Sequence, residues 1–295
     1  MAKRTQDSYC VALNQLEHIL KPVKLAMLDG RAISSYQAKL RSLQLREATI
    51  ANYLRHLKAA LRWAHHVGLL AKVPRIIMPK RQRGAKLMKG RPITADELAL
   101  MLAATPGVVG EAAAPSWIFY LKGMWFSGLR LSESLELYWD RDDRLKVDLT
   151  GRWPMFRINA AWEKGKRDRL LPLAPEFAEL LQEVPEAERK DAVFVLRGVN
   201  GQDMQRRADW VGKICSRIGK AAGVVVNTDA TSGEVKHASL HDFRRAFGRR
   251  WAARLRPQQL MELMRHESIN TTMDCYVGQD AEATAKILWE VQRVV

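Results

Sequence analysis

The stretch H-D-F-R-R-A-F at residues 241–247, followed by M-R-H-E-S-I-N-T-T-M-D-C-Y at 264–276, decides how the chain is read. His241 and Arg244 stand three apart, so on a helix they share a face and can be aimed at one ligand. His266 follows, and Tyr276 lies ten residues beyond it. A guanidinium forks onto the non-bridging oxygens of a phosphodiester, and an imidazole donates or shuttles protons. A tyrosine hydroxyl beside them is a candidate nucleophile. Taken singly, each residue has an ordinary reading: an HxxR pair on a basic helix faces water, and a lone tyrosine packs. The chemical reading therefore depends on companions upstream.

Composition narrows the partner. Lys+Arg number 48 against 32 Asp+Glu in 295 residues, a net charge of +16 with a pI near 10.0. Such a balance is an electrostatic footprint for nucleic acid or an anionic surface. The longest apolar run, Trp117 to Phe126, is interrupted by Lys122 and Gly123, so no membrane span is expected, and the N-terminus lacks a signal-peptide core. Cys10, Cys215 and Cys275 are scattered, without CxxC pairing, which argues for a reducing compartment and against a zinc site. Double-stranded DNA in the cytoplasm is the expected partner. No cofactor, metal or small-molecule substrate is expected.

In chain order, Val11, Leu13, Leu16, Ile19 and Leu20 mark an amphipathic helix over 7–20, ending before Pro22. A second is expected over 34–44 from Ser34 or Ser35. The clearest runs over 49–67, with Thr49 as N-cap, Ile50, Tyr53, Leu54, Leu57, Leu61 and Ala64 inward, and a stop at Gly68. Its other face carries Asn52, Arg55, Lys58 and Arg62, either a DNA-facing surface or a solvated basic one. From Pro79 to Arg91 the run P-K-R-Q-R-G-A-K-L-M-K-G-R includes Lys80, Arg81, Arg83 and Lys86; it tracks a phosphate backbone or is a solvated tether. The division expected is a helical DNA-binding domain at 1–85, a basic linker at 86–91 and a second domain at 92–295.

The second domain opens with the capping box T-A-D-E at 94–97 and an apolar helix over 116–127 capped by Gly128. Arg130, directly after that glycine turn, is placed to meet an anion, and Glu133 to orient a neighbouring Arg or His; a surface ion pair is the ordinary alternative. Strands are expected over Arg144–Leu149, Met155–Ile158 and Arg169–Leu173, with a hairpin turn around Gly165 carrying Lys164 and Lys166. Helices follow over 176–182 and 203–221. Residues 227–237 read as an exposed loop without chemistry. A last helix over 281–293 presents Ala283, Ile287, Leu288 and Val291 on one side. The fold class is mainly α with a small antiparallel β-sheet (α+β).

In this order, S-G-L-R-L-S-E, the hairpin lysine before R-L-L-P-L, H-D-F-R-R-A-F and L-M-R-H-E-S-I-N-T-T-M-D-C-Y resemble the tyrosine recombinase (phage integrase) family. The resemblance runs from about Arg91 to the C-terminus, and the helix over 49–67 is similar to that family's core-binding domain. It implies a two-domain clamp closing around duplex DNA, with no additional arm-site domain before it. By the resemblance, Arg130 and Arg244 hold the scissile phosphate, and His241 and His266 complete the pocket. Lys164 supplies the general acid, with Lys166 as runner-up; Glu133 supports the first arginine and Tyr276 is the nucleophile. The implied reaction cleaves and rejoins DNA through a 3′-phosphotyrosyl link, with two fixed arginines in place of metal ions. A homo-oligomer is implied, a dimer on a site and a tetramer in synapsis. Two other classes share parts of this pattern, a topoisomerase IB-like enzyme and a DNA-binding protein that keeps the fold without catalysis. The intact Arg/Lys/His/Arg/His/Tyr set argues against the second, and a helix beyond the nucleophile, able to dock on a neighbour, against the first. The chain departs from the family's pattern where Arg265 replaces the usual Gly before the second His, and where A-R-L-R-P-Q-Q links two helices without a Gly.

Overall fold

The computed structural model describes residues 3–79, 90–160, 168–203, 207–229, 233–276 and 289. The chain divides into two compact units, Met1–Lys86 and Leu87–Val295. The first holds α1 (Lys3–Leu20), α2 (Gly30–Ser42) and α3 (Glu47–His66). Tyr36, Leu40, Ile50, Leu54, Leu57 and Leu61 meet in its core, as the apolar spacing of α3 requires. Local details differ from the sequence reading. The side chain of Asp29, not Ser34 or Ser35, caps α2 by accepting from the Ala32 N–H at 2.8 Å. Helix α3 starts at Glu47 after Arg46, so Thr49 lies inside its first turn. Helix α1 begins at Lys3, and its Val11 and Leu13 are exposed while Ala12 and Leu16 are buried. Arg55 and Arg62 are exposed on the outer face of α3, with Lys58 half-buried.

The second unit is built on α4 (Ala95–Val109), α5 (Ala114–Ser127) and α6 (Leu131–Leu135). The expected capping box of α4 is present, with Thr94 accepting from the Glu97 N–H at 3.2 Å and Glu97 from the Thr94 N–H at 2.9 Å. A four-stranded sheet follows, ordered β1 (Leu137–Tyr138), β2 (Leu145–Asp148), β3 (Met155–Ile158) and β4 (Arg169–Pro172). Pairings β2–β3 and β3–β4 are antiparallel, while the two-residue β1 adds a parallel pairing to β2. Then come α7 (Pro175–Gln182), α8 (Ala208–Ala221), β5 (Val225–Thr228), β6 (Val235–His237), α9 (Leu240–Ala252), α10 (Pro257–Leu263) and α11 (Ile269–Tyr276).

The segment read as a loop over 227–237 is therefore corrected: β5 and β6 pair as an antiparallel hairpin. It is held from below, because a Cβ on Gly219 of α8 would come within 2.3 Å of the Ala238 carbonyl, so the glycine lets helix and hairpin touch. Arg91, at the end of the basic run, is already anchored to this hairpin. Its N–H donates to the Val226 carbonyl at 3.1 Å, and its guanidinium to Val225 O at 2.7 Å and to Glu97. The expected helix over 281–293, the hairpin tip with Lys164 and Lys166, and Lys80, Arg81, Arg83 and Lys86 lie outside the described residues, apart from Trp289.

Candidate active site

Helix α5 must stop so that Arg130 can turn inward, and Gly128 stops it with φ +58. A Cβ there would lie 2.3 Å from the Phe247 ring of α9, so glycine also permits the close approach of α5 and α9. Its carbonyl accepts from Arg244 Nη1 at 2.6 Å and from Arg265 Nη2 at 3.2 Å. Gly128→Ala is therefore expected to cost roughly 2 kcal/mol or more, from left-handed strain plus overpacking, read as a lowered Tm. A melting curve matching the parent would contradict this account of the turn.

Arg130 follows as the N-cap of the short α6. Its backbone N–H donates to Glu133 Oε2 at 2.7 Å and its Nη1 to Oε1 at 2.5 Å, while Nη2 reaches the Arg265 carbonyl at 2.9 Å. The same carboxylate lies 3.9 Å from Arg244 Nη1 and 3.2 Å from Arg265 Nη2. One carboxylate thus gathers three guanidiniums. Burial of Glu133 works against its ionisation, but Arg265, Arg244 and Arg130 together bring it down to about 2.

Arg244 sits in the middle of α9, only 3% exposed, with its second terminal nitrogen on the Met264 carbonyl. Helix α9 is fixed at its start by a capping box in which Asp242, 0% exposed, takes the Ser239 N–H at 3.0 Å. The Ser239 hydroxyl, at 2.8 Å, and Arg245 and Lys236 also pair with that carboxylate. His241, on the first turn, stays at the surface. Desolvation of its ring, then Arg245 and Arg244, hold its pKa below the ordinary histidine range.

His266 follows α10 through a turn in which Arg265 has φ +53. A non-glycine residue in that region costs about 1 kcal/mol, so this position accounts physically for the family's glycine. The other missing glycine has no such consequence, since none of Ala253–Arg256 has positive φ. The His266 Nδ1 pairs with the hydroxyl of buried Thr272 at 2.9 Å. Desolvation first, then Arg244, Arg130 and Arg265, push its pKa down to about 4, leaving the ring neutral.

Arg130, Glu133, Arg265, His266 and Arg169 line a cleft of about 600 Å³. Ile158 and Arg169, the last pair of the β3–β4 register, also reach it, so the strands that bracket the expected lysine loop end at the cleft wall. Tyr276 is the last residue of α11, ten residues after His266. The structure thus brings Arg130, Glu133, Arg244 and His266 together; His241 lies on the same helix as Arg244 but at its exposed start. Sequence reasoning did not find Thr272, Arg169 or Asp242, and treated Arg265 only as a departure. A signal existed for Asp242 alone, as the third residue after Ser239 in a capping box.

The sequence pattern of the phage integrase family matches residues 92–283, well over half of the chain. The chain belongs to this family. A protein of Aquifex aeolicus (strain VF5), described as a probable integrase/recombinase, is 21% identical over 304 residues, covering 94% of this chain and 93% of that one. Among solved structures, the integrase of the Tn1549 transposon in complex with transposon right end DNA matches with TM-score 0.67 at 18% identity, over 99% of this chain and 95% of that one. A lambda integrase dimer bound to a COC′ core site matches with TM-score 0.66 at 14% identity, over 92% and 88%. These similarities place the integrase-family chain in the mainly helical fold with small sheets that those proteins share.

Proposed function

We propose that this chain is a site-specific DNA recombinase that cleaves and rejoins strands through a 3′-phosphotyrosyl intermediate. The observation that carries the reading is one carboxylate, Glu133, in range of both Arg130 and Arg244 beside a cleft that His266 also lines. Two guanidiniums held in fixed orientation stabilise the charge that grows on non-bridging phosphate oxygens, and they need no reorganisation at the moment of reaction. In the proposed step, the Tyr276 oxygen bonds to phosphorus as the bond to the 5′-oxygen breaks. The tyrosine proton leaves to a base, with neutral His266 or His241 as the candidate acceptor. The departing 5′-oxygen takes a proton from Lys164. The phosphotyrosyl ester conserves the bond energy, so another strand's 5′-hydroxyl reverses the step without ATP.

Double-stranded DNA is the partner in this reading. Arg55, Lys58 and Arg62, with Lys80, Arg81, Arg83 and Lys86, supply phosphate contacts, and protomers pair on a site and assemble as tetramers during exchange. No helix among the described residues is long and apolar enough to cross a membrane, and a cytoplasmic location is part of the proposal. The test is a nicked duplex drawn from DNA flanking the gene. Adducts that survive denaturing detergent, followed by strand exchange between two sites, support recombination. Relaxation of supercoiled DNA without exchange would instead favour a topoisomerase-like enzyme. With a net charge of +16, binding should also weaken steeply with salt. If about six phosphates are neutralised, log K falls against log salt with a slope of about −5; a nearly flat plot would contradict the proposed DNA contacts.

A further inference from the structure

Arg265 is built into the site by three independent features. Its side chain is only 8% exposed, its Nη2 lies 3.2 Å from Glu133 Oε2, and its Nε donates to the same oxygen at 3.2 Å. Its guanidinium carbon stands 5.7 Å from the centre of the buried Phe156 ring on β3. Its own carbonyl, turned by the left-handed backbone, accepts from Arg130 Nη2 at 2.9 Å. One residue therefore joins three elements of the site: α6 beside Arg130, the turn before His266, and strand β3 of the β3–β4 pair.

We propose that Arg265 is a positioning residue of this site, a buried guanidinium that fixes Glu133 and, through it, the orientation of Arg130 while presenting His266 to the cleft. The inference rests on the recombinase reading above. A backbone of this kind is easiest for glycine, yet the chain keeps a long charged side chain there, and that side chain fills the space between α6 and β3. A planar fork can meet one carboxylate oxygen through two nitrogens and still lie over an aromatic ring; a lysine ammonium cannot do both. The ion pair also sets local charge. The groups facing Glu133 and His266 are Arg130 on α6, Arg244 on α9, Arg169 on β4, Glu267 beside the turn, the Thr272 hydroxyl on α11, and Arg265 itself. Arg265 is among the groups that lower the pKa of both Glu133 and His266. Its removal moves both upward, so the acid side of the cleavage profile shifts to higher pH. Loss of packing alone would lower the rate without moving that limb.

The test compares the full-length parent with Arg265→Met, Arg265→Gly and Arg265→Lys in single-turnover cleavage of the nicked duplex across pH, with affinity measured separately. The methionine and glycine variants are expected to bind within about threefold of the parent, to form adduct at least tenfold more slowly, and to show the acid limb displaced upward. The lysine variant retains charge without the fork, so its limb stays in place while its rate falls at least threefold. Parent-like rates with an unmoved limb in Arg265→Met, or faster cleavage in Arg265→Gly, would overturn the assignment. Should those two variants fail to fold, Arg265→Gln, which keeps a hydrogen-bonding side chain without the charge, decides: an acid limb displaced upward at unchanged affinity supports the role, and a parental limb refutes it. Absence of adduct in the parent itself would sink the recombinase reading instead.

Discussion

Tyr276→Phe is expected to abolish covalent protein–DNA adducts while leaving DNA affinity within about twofold of the parent. The expectation is this large because the hydroxyl oxygen is itself the atom that bonds to phosphorus, and phenylalanine supplies no substitute. Tyr276 ends α11, on the far side of which the turn holding His266 is tied to α6 by Arg130 and Arg265. The substitution removes one hydroxyl and keeps the ring, so binding and folding should survive it. The measurement is detergent-resistant adduct on a nicked duplex, alongside a binding isotherm. Adduct persisting at full yield in Tyr276→Phe would remove Tyr276 from the mechanism and leave another nucleophile to be found.

Glu133→Gln is expected to have the largest effect on stability, on the order of 3 kcal/mol at neutral pH, because three guanidiniums lose their shared counter-charge in a largely buried setting. The direction with pH follows from the depressed carboxyl. Its folded value of about 2 lies below the unfolded value near 4.3, so the stabilisation is fully present above the unfolded value. It is lost as pH falls from there through about 2. Parent and variant should therefore differ most at neutral pH, and the gap in denaturant midpoints should narrow below about pH 4.5. A gap that stays constant through that range would show that the carboxylate's charge is not what stabilises the site. Cleavage should fall as well, since Arg130 loses the group that orients it.

Much of the helical frame was legible because it is written in local terms. The Thr94–Glu97 capping box, the left-handed Gly128 and the strand Met155–Ile158 each depend on a few adjacent residues, and all stand where they were expected. The β5–β6 hairpin was not legible, since N-T-D-A-T-S-G-E-V-K-H has turn composition throughout. Its strands pair where distant residues support them: Gly219 admits Ala238, and Arg91 bonds along β5. Thr49 failed as a cap for a related reason: the first turn of α3 was extended to Glu47, whose carboxylate pairs with Arg41 of α2. In the site, residue types and order could be read, but not their connections. Arg265 and Glu133 are 132 positions apart, so no periodicity relates them. Only the fold reveals that the apparent anomaly before His266 is the neighbour of the carboxylate beside Arg130.

The anchoring of Arg91 sets where the second unit can be severed from the chain. A fragment released by cutting after Lys89 would begin at Gly90 and keep Arg91, with its bonds to Val225, Val226 and Glu97. The next bond after a basic residue, Arg91–Pro92, resists trypsin because proline follows the arginine. A basic run full of cleavage sites thus ends in one arginine that the protease passes over, and that arginine is the one that fastens the fragment's new terminus to its own hairpin.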